Sequence, residues 1–284
     1  MATPRVSPLS DIDDSPVEEQ APAQGTVRRD RWLGLASFAA MLALWFALTG
    51  SGLWQPVVSP TFLPSPVTVA KTFLKLASTG YQGHTLAHHF LISLMRFGIA
   101  FGFCVAVGVP VGLLMGMNSG VRAVLDPPIE TTRPIPKLAL LPLFIIWFGI
   151  GELSKTIVII AALFPMISIS AMQAVRAVSV RKIQAAQSLG ASRSIIFWRV
   201  LLPASLPGIF TGIRVSVGIG VTMLVGAEMV ATSDGIAWMA LTAADFVQTD
   251  VVLVGVLIMA ALGYGLDLLF RALERRAVHW AGRE

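Results

Sequence analysis

The sequence is poor in charge, cysteine and tyrosine. Asp, Glu, Lys and Arg make up only 13% of its 284 residues, there are two tyrosines, and the single cysteine, Cys104, lies inside an apolar run. One cysteine excludes an intrachain disulfide framework and a thiolate metal site within one chain. So little charge cannot cover the surface of a soluble domain of this length. The composition therefore predicts an integral membrane protein.

Long apolar runs are abundant: hydrophobic residues make up 55% of the chain and the mean hydropathy is +0.75. At 1.5 Å per helical residue, a run of about 20 residues crosses the bilayer core. The third run is short and contains Pro142, so we expect it to be a broken or tilted span. The pattern predicts an all-α membrane protein with six transmembrane helices, at residues 32–50, 90–117, 138–150, 156–175, 208–231 and 251–270.

Basic residues determine the expected orientation. The net charge is +5, and the Lys and Arg residues fall between the apolar runs, which is typical of membrane-flanking loops. If both termini are cytoplasmic, the outer segments keep only four basic residues: Lys71, Lys75, Arg96 and Lys155. This predicts a multi-pass protein of the cell (inner) membrane.

With both termini in the cytoplasm, the chain is expected to consist of three regions. We expect a disordered cytoplasmic tail over residues 1–31, a transmembrane domain over 32–275 and a cytoplasmic C-terminal tail over 276–284. Residues 118–137 are polar and are expected to connect the second and third spans on the cytoplasmic side. Residues 179–207 form the longest basic interruption of the second half and are also placed in the cytoplasm.

The second span carries glycine at four-residue intervals. Gly108, Gly112 and Gly116 expose a strip of backbone along one helix face. Small residues at this spacing favour close packing of two helices in a membrane. We expect these three glycines to face another span.

A few polar residues within the spans are candidates for a substrate path: Thr211, Ser216, Thr222 and Glu228. An ionisable group at membrane depth indicates a functional role by default, although a structural role is equally open for Glu228. The three hydroxyls can line a path or bond neighbouring backbone, and the second is favoured. Arg96 and Arg214 lie near span ends, so we expect both to extend to lipid headgroups.

One pattern is rejected as a nucleotide site, and a second is disfavoured as a metal site. Residues 149–156, GIGELSKT, nearly match a phosphate-binding loop, but Ser154 replaces the glycine before the lysine and no strand precedes it. His84, His88 and His89 cluster without a nearby carboxylate or thiol, which disfavours a metal site. Since the spans hold no catalytic constellation, we expect a non-catalytic chain without a cofactor or metal.

Residues 179–207, SVRKIQAAQSLGASRSIIFWRVLLPASLP, predict two short helices. Ser179 can cap a helix that begins at Val180, and Gly190 can end it in the left-handed conformation. Ser192 can cap a second helix, which we expect Pro203 to stop before the fifth span begins. Such a unit is either a lever docked on a partner or an interfacial hairpin, and the residues alone leave both open.

The segment QAAQSLGASRSIIFWRVLLPASLP resembles the EAA loop of binding-protein-dependent ABC transporter permeases. The resemblance extends over roughly residues 90–275. DPPIETTRPIPKLALLPLFIIWFGIGELSK and LPGIFTGIRVSVG are similar to the nitrate, sulfonate, taurine and bicarbonate branch of that family.

This resemblance implies a type I ABC importer permease fold and transport of a small anionic solute. It also implies a homodimer, a separate cytoplasmic ATPase that binds ATP and Mg²⁺, and a periplasmic or lipid-anchored solute-binding protein. By position, the residues that would contact the ATPase are Gln184, Ala185, Ala186, Leu189, Gly190 and Ala191. Gln184 replaces the usual glutamate, which removes a charge from that contact.

Two other classes remain as alternatives. A stand-alone channel or secondary transporter needs charged or broken-helix sites at the membrane midplane and internal repeats, and no inverted repeat is evident. A membrane-embedded enzyme needs a catalytic cluster near an interface, and the sequence shows none.

Overall fold

The computed structural model describes residues 24–50, 55–230 and 232–278, with backbone alone for 24–31. Residues 1–23 of the expected N-terminal tail and residues 279–284 of the expected C-terminal tail lie outside this part. All regular elements in the described residues are helices; there is no strand there, only an isolated β-bridge between Tyr81 and His84. The chain divides into two compact units, Met1–Val57, which holds α1, and Val58–Glu284, which holds the other helices.

Twelve α-helices follow one another: α1 Gln24–Thr49, α2 Pro66–Thr79, α3 Leu86–Phe103, α4 Val109–Met117, α5 Ser119–Thr132, α6 Leu141–Phe148, α7 Glu152–Arg176, α8 Val180–Ser188, α9 Arg193–Ile196, α10 Leu202–Glu228, α11 Ile236–Asp245 and α12 Thr249–Ala277. Short π-helical turns, Cys104–Gly108 and Phe197–Leu201, join α3 to α4 and α9 to α10. A 3₁₀ turn, Lys137–Leu140, precedes α6.

Five helical runs in the described part are long and apolar enough to cross a membrane: Trp32–Thr49, Leu86–Met117, Glu152–Arg176, Arg193–Glu228 and Thr249–Ala277. They overlap the first, second, fourth, fifth and sixth predicted spans, although the fifth run begins already at Arg193 rather than at residue 208. The third predicted span corresponds to the short apolar helix Lys137–Phe148. Within the described residues the count of six spans is therefore not fully confirmed.

The chain instead returns between α4 and α7 as two short helices. Residues 118–137, expected as a polar connection, contain the helix α5, which packs against α4 and α7. Ile129 of α5 is buried in a cluster with Met115, Ile169 and Met172. Asn118 begins α5, since its Oδ1 accepts the backbone N–H groups of Gly120 and Val121. The helix then breaks at residues 133–136, RPIP, before the 3₁₀ turn and α6.

The glycines of the second span allow α4 to lie against α7. A Cβ atom on Gly112 would come within 2.6 Å of the Ala171 Cβ, and one on Gly116 within 2.6 Å of the Val175 Cβ. A Cβ on Gly108 would lie 3.2 Å from the Ser168 Oγ. The three glycines thus lie on the face that contacts α7; a side chain at Gly112 or Gly116 would overlap α7, and one at Gly108 would require a small shift of Ser168.

Candidate functional site

The segment between α7 and α10, residues 179–207, forms a helix, a glycine turn and a second short helix. Gly190 has φ +78°, and the backbone N–H groups of Gly190 and Ala191 donate to the carbonyls of Gln187 and Ala186. Such bonds satisfy the free carbonyls at the end of α8. Ser192 accepts the N–H of Ile195 at 3.4 Å, as expected of a helix cap.

Two details differ from the prediction. Ser179 precedes α8, but its side chain makes no capping hydrogen bond. Pro203 does not stop the second helix, because Arg193–Glu228 is one helical run. Pro203 lies at the start of α10, where a missing N–H is tolerated, and the π-helical turn Phe197–Leu201 makes the connection.

Large apolar side chains of this segment are uncovered. Leu189 is 88% exposed, Val180 64% and Trp198 63%. No residue of α8 is buried. Among the predicted contact residues, Gln184, Ala185, Leu189 and Gly190 are exposed, whereas Ala186 and Ala191 are half-buried. Uncovered apolar residues beside charged ones are typical of a protein interaction surface.

The segment is tightly connected to the spans on both sides. A Cβ on Gly208 would lie 2.8 Å from the Ala174 Cβ, so α10 approaches α7 closely just after the segment ends. Farther along α10, a Cβ on Gly220 would lie 2.7 Å from the Phe97 ring of α3. Because interfaces packed this closely leave little room for independent sliding, a displacement of residues 179–207 would be transmitted to α7 and α10.

The hydroxyls predicted to line a path bond their own helix. Thr211 donates to the Pro207 carbonyl at 3.0 Å, Ser216 to that of Gly212 at 2.8 Å and Thr222 to that of Gly218 at 2.9 Å. Thr222 also lines an open cavity of about 510 Å³ between α10 and α12. The structure does not bring these three side chains together.

Arg96 is the centre of a buried ionic network. It is only 1% exposed, so the expectation that it reaches the headgroups is wrong. Its Nε donates to Glu152 at 2.5 Å, its Nη1 to Glu228 at 3.0 Å, and its Nη2 to Asp234 at 2.5 Å. Three carboxylates from different parts of the chain therefore hold the guanidinium in the interior. We call Arg96, Glu152, Glu228 and Asp234 the Arg96 network.

Glu228, a candidate path residue, is fully buried in this network. Its Oε1 also accepts the Ser93 hydroxyl at 2.7 Å, and its Oε2 accepts the Ala237 N–H at 3.0 Å. The loop after α10 closes over it, since a Cβ on Gly235, which has φ +114°, would come within 2.5 Å of the carboxylate. Through these hydrogen bonds and its ion pair with Arg96, Glu228 connects α10 to α3 and α11.

Asp234 lies in the loop outside the spanning helices and shows the electrostatic effect of Arg96. Burial alone would raise the pKa of Asp234, but the hydrogen bond and charge of Arg96 outweigh it. The pKa of Asp234 consequently lies below its ordinary value.

The other ionisable candidates also form internal contacts. Arg214 is half-buried and pairs with Asp267 at 3.3 Å and Glu274 at 3.1 Å, so it joins α10 to α12. Lys155, the lysine of the rejected phosphate-loop pattern, is buried and donates to Glu152 at 3.2 Å.

The histidine cluster is organised by backbone contacts. His89 Nδ1 accepts the Gly235 N–H at 3.2 Å, and its Nε2 lies 3.2 Å from the Tyr81 carbonyl. His84 and His88 stack at a ring distance of 4.4 Å. Within the described ranges, no three His, Cys, Asp or Glu side chains converge as a metal site.

Comparisons with known proteins give consistent results. The family model for the binding-protein-dependent transport system inner membrane component matches residues 108–279. The chain is 43% identical over 251 residues to the taurine transport system permease protein TauC of Escherichia coli (strain K12), covering 88% of this chain and 90% of the relative. It is 36% identical over 254 residues to the putative aliphatic sulfonates transport permease protein SsuC of Bacillus subtilis (strain 168), covering 89% of each.

Among solved structures, an inward-facing form of the MetNI methionine ABC transporter superposes with a TM-score of 0.53. The match covers 66% of this chain and 95% of that one at 20% sequence identity. At this identity the likeness is one of fold alone.

Proposed function

Because this chain belongs to the family of binding-protein-dependent transport system inner membrane components, we propose that it carries alkanesulfonates such as taurine across the membrane. A permease of this family is a non-catalytic membrane subunit of an ABC importer, and it works with an ATPase and a solute-binding protein. The observation that supports the substrate class is the identity to relatives named for taurine and aliphatic sulfonates, which extends over nearly the whole chain.

Residues 179–207 are the proposed contact with the ATPase. The uncovered Leu189 and Val180, the glycine turn and the close packing of the flanking spans together fit a short helix that docks in a groove. ATP and Mg²⁺ would be bound by the ATPase. We place residues 179–207 and both termini in the cytoplasm, since the basic residues are concentrated there.

The proposed assembly is a homodimer with two ATPase subunits. Closure of the ATPases on ATP would draw the two 179–207 segments together, and α7 and α10 would move with them. This motion would open the path to the outer side, where the binding protein releases its ligand, and hydrolysis would reverse it. Coupling of this kind needs two discrete packings of the spans, one favoured by the ATP-bound partner.

The substrate class is tested by ATP hydrolysis of the assembled complex in liposomes. We expect the cognate binding protein loaded with taurine or another alkanesulfonate to stimulate hydrolysis several-fold over the unloaded protein. Nitrate, bicarbonate and benzoate, supplied at the same concentration, are the comparison solutes. Stimulation by nitrate or bicarbonate but by no sulfonate would show that the proposed substrate class is wrong.

A further inference from the structure

The break between α5 and α6 places two basic side chains beside a cavity in the middle of the membrane domain. The cavity has a volume of about 630 Å³ and is open on one side. It is lined by residues 130 and 133–137 and by side chains of α7 and α10, namely Ala162, Pro165, Met166, Ile219 and Met223. We call it the Lys137 cavity.

The depth of this cavity follows from its neighbours. Pro165 is the fourteenth of the 25 residues of α7. At 1.5 Å per residue, about 18 Å of helix lies on either side of it, so the cavity is near the midplane if α7 spans the bilayer. Non-helical backbone at that depth is tolerated only where it is covered by protein or lines a water-filled path. The RPIP break meets this condition, because the Lys137 cavity lies directly beside it.

The charge of the Lys137 cavity is positive. Its ionisable lining residues are Arg133, Lys137 and Glu130, which sum to +1 at neutral pH. Arg133 pairs with Glu130 through Nη1 alone, at 3.0 Å, and its side chain is 42% exposed. Lys137 is in none of the ion pairs found within the described residues, so its charge lacks a carboxylate partner there.

The two basic side chains retain donors that a ligand can use. The Lys137 ammonium donates to the carbonyls of Thr132 and Ile135 at the break after α5. An ammonium has three N–H groups and a guanidinium five, so both side chains keep unused donors. Intramembrane cations beside a cavity, at a break in a helix, are the arrangement that binds an anionic group during transport.

We propose that Arg133 and Lys137 form a transit site that binds the anionic head group of the solute midway across the membrane. The inference rests on the proposed function, because it assigns residues to the path of the same anion. The opposite side of the break supports this assignment. There, a second cavity of about 550 Å³ also reaches Lys137, but it is otherwise lined mainly by apolar residues such as Phe103, Val107 and Phe144. Arg133 lines the Lys137 cavity and not the second one, so the two basic side chains meet on the side that faces α7 and α10.

The test compares solute uptake with ATP hydrolysis in liposomes that hold the complete transporter. The probes are taurine and its loaded binding protein. We expect Arg133→Gln and Lys137→Gln each to lower taurine uptake about tenfold or more, since each loses a charged hydrogen bond to the anion. Stimulated ATP hydrolysis should stay within about twofold of the unmodified complex, because neither residue is in the ATPase contact. Lys137→Arg should retain most of the uptake.

Lys71→Gln is the matched control, since Lys71 is an exposed lysine on α2 away from the cavity. It should leave uptake and hydrolysis unchanged. Arg133→Gln keeps the test valid if loss of Lys137 impairs folding, because Arg133 makes only an exposed ion pair. Normal uptake by Arg133→Gln, or a parallel fall of uptake and hydrolysis in both variants, overturns the transit site. If the unmodified complex transports no alkanesulfonate, the proposed function itself fails, and the transit site fails with it.

Discussion

Replacing Arg96 with methionine is expected to leave little folded protein in the membrane. The substitution keeps an unbranched chain of similar reach but removes the one cation that, among the described residues, contacts Glu152, Glu228 and Asp234 together. Glu228 is 0% exposed and would remain as an uncompensated buried charge. Breaking a buried ion pair in this way costs about 3–5 kcal/mol, which is a large part of the stability of most folded domains. Thermal unfolding and gel filtration in detergent measure the loss.

Arg271→Met is the matched control for this prediction. Arg271 also binds a carboxylate, Asp267, at 2.6 Å, but its side chain is 50% exposed and the pair spans one helical turn. An exposed pair contributes about 0–1 kcal/mol, so this variant should unfold close to the unmodified protein. Adding Glu228→Gln to Arg96→Met should restore part of the stability, because it removes the buried unpaired charge. Equal stability of Arg96→Met and Arg271→Met would contradict the structural role of the Arg96 network.

Replacing Leu189 with aspartate is expected to abolish binding of the ATPase without unfolding the permease. Leu189 is 88% exposed, so its loss creates no cavity, and a surface change of this kind alters stability by less than about 0.5 kcal/mol. An unpaired carboxylate buried in an apolar groove would, however, weaken docking by several kcal/mol. Pull-down of the ATPase with tagged permease should fall at least tenfold, while the thermal unfolding temperature should stay unchanged.

Phe62→Asp is the matched control. Phe62 is 79% exposed, comparable to Leu189, but lies between α1 and α2, outside residues 179–207. The Phe62→Asp variant should copurify with the ATPase as the unmodified chain does. Undiminished ATPase recovery with Leu189→Asp would show that the exposed face of α8 is not the docking surface.

The long spans could be predicted because hydropathy and helix length are local properties. The third span was predicted only as the short, broken stretch 138–150; the helix α5 before it was missed because it is moderately polar. The RPIP sequence reads as the end of a loop, and only the packing of Ile129 against Met115, Ile169 and Met172 shows that the chain has already turned back. A hydropathy window finds the apolar helix α6 but misses α5, because it averages over the charged residues around the break.

The Arg96 network was missed for a different reason. Its partners are separated from Arg96 by 56 to 138 residues, so no local pattern connects them. The usable signal was charge balance: Arg96 and Glu228 are opposite charges near the ends of different spans, and each would be costly alone. Glu228 considered alone can be either a path residue or a structural one. Considered together with Arg96, it is expected to form a buried ion pair. The turn at Gly190 could be predicted from the sequence, because a left-handed residue at a helix end depends mainly on the local residues, and glycine adopts that conformation readily.

The most direct test of the central claim, that this chain is the passive membrane half of an ATP-driven importer, is taurine uptake into liposomes. One set of liposomes holds the permease alone, and the other holds the permease with its ATPase and solute-binding protein. We predict uptake against a concentration gradient only in the second set, and only with ATP supplied on the side that the ATPase occupies. Gradient-driven or ATP-independent accumulation of taurine by the permease alone would contradict the account.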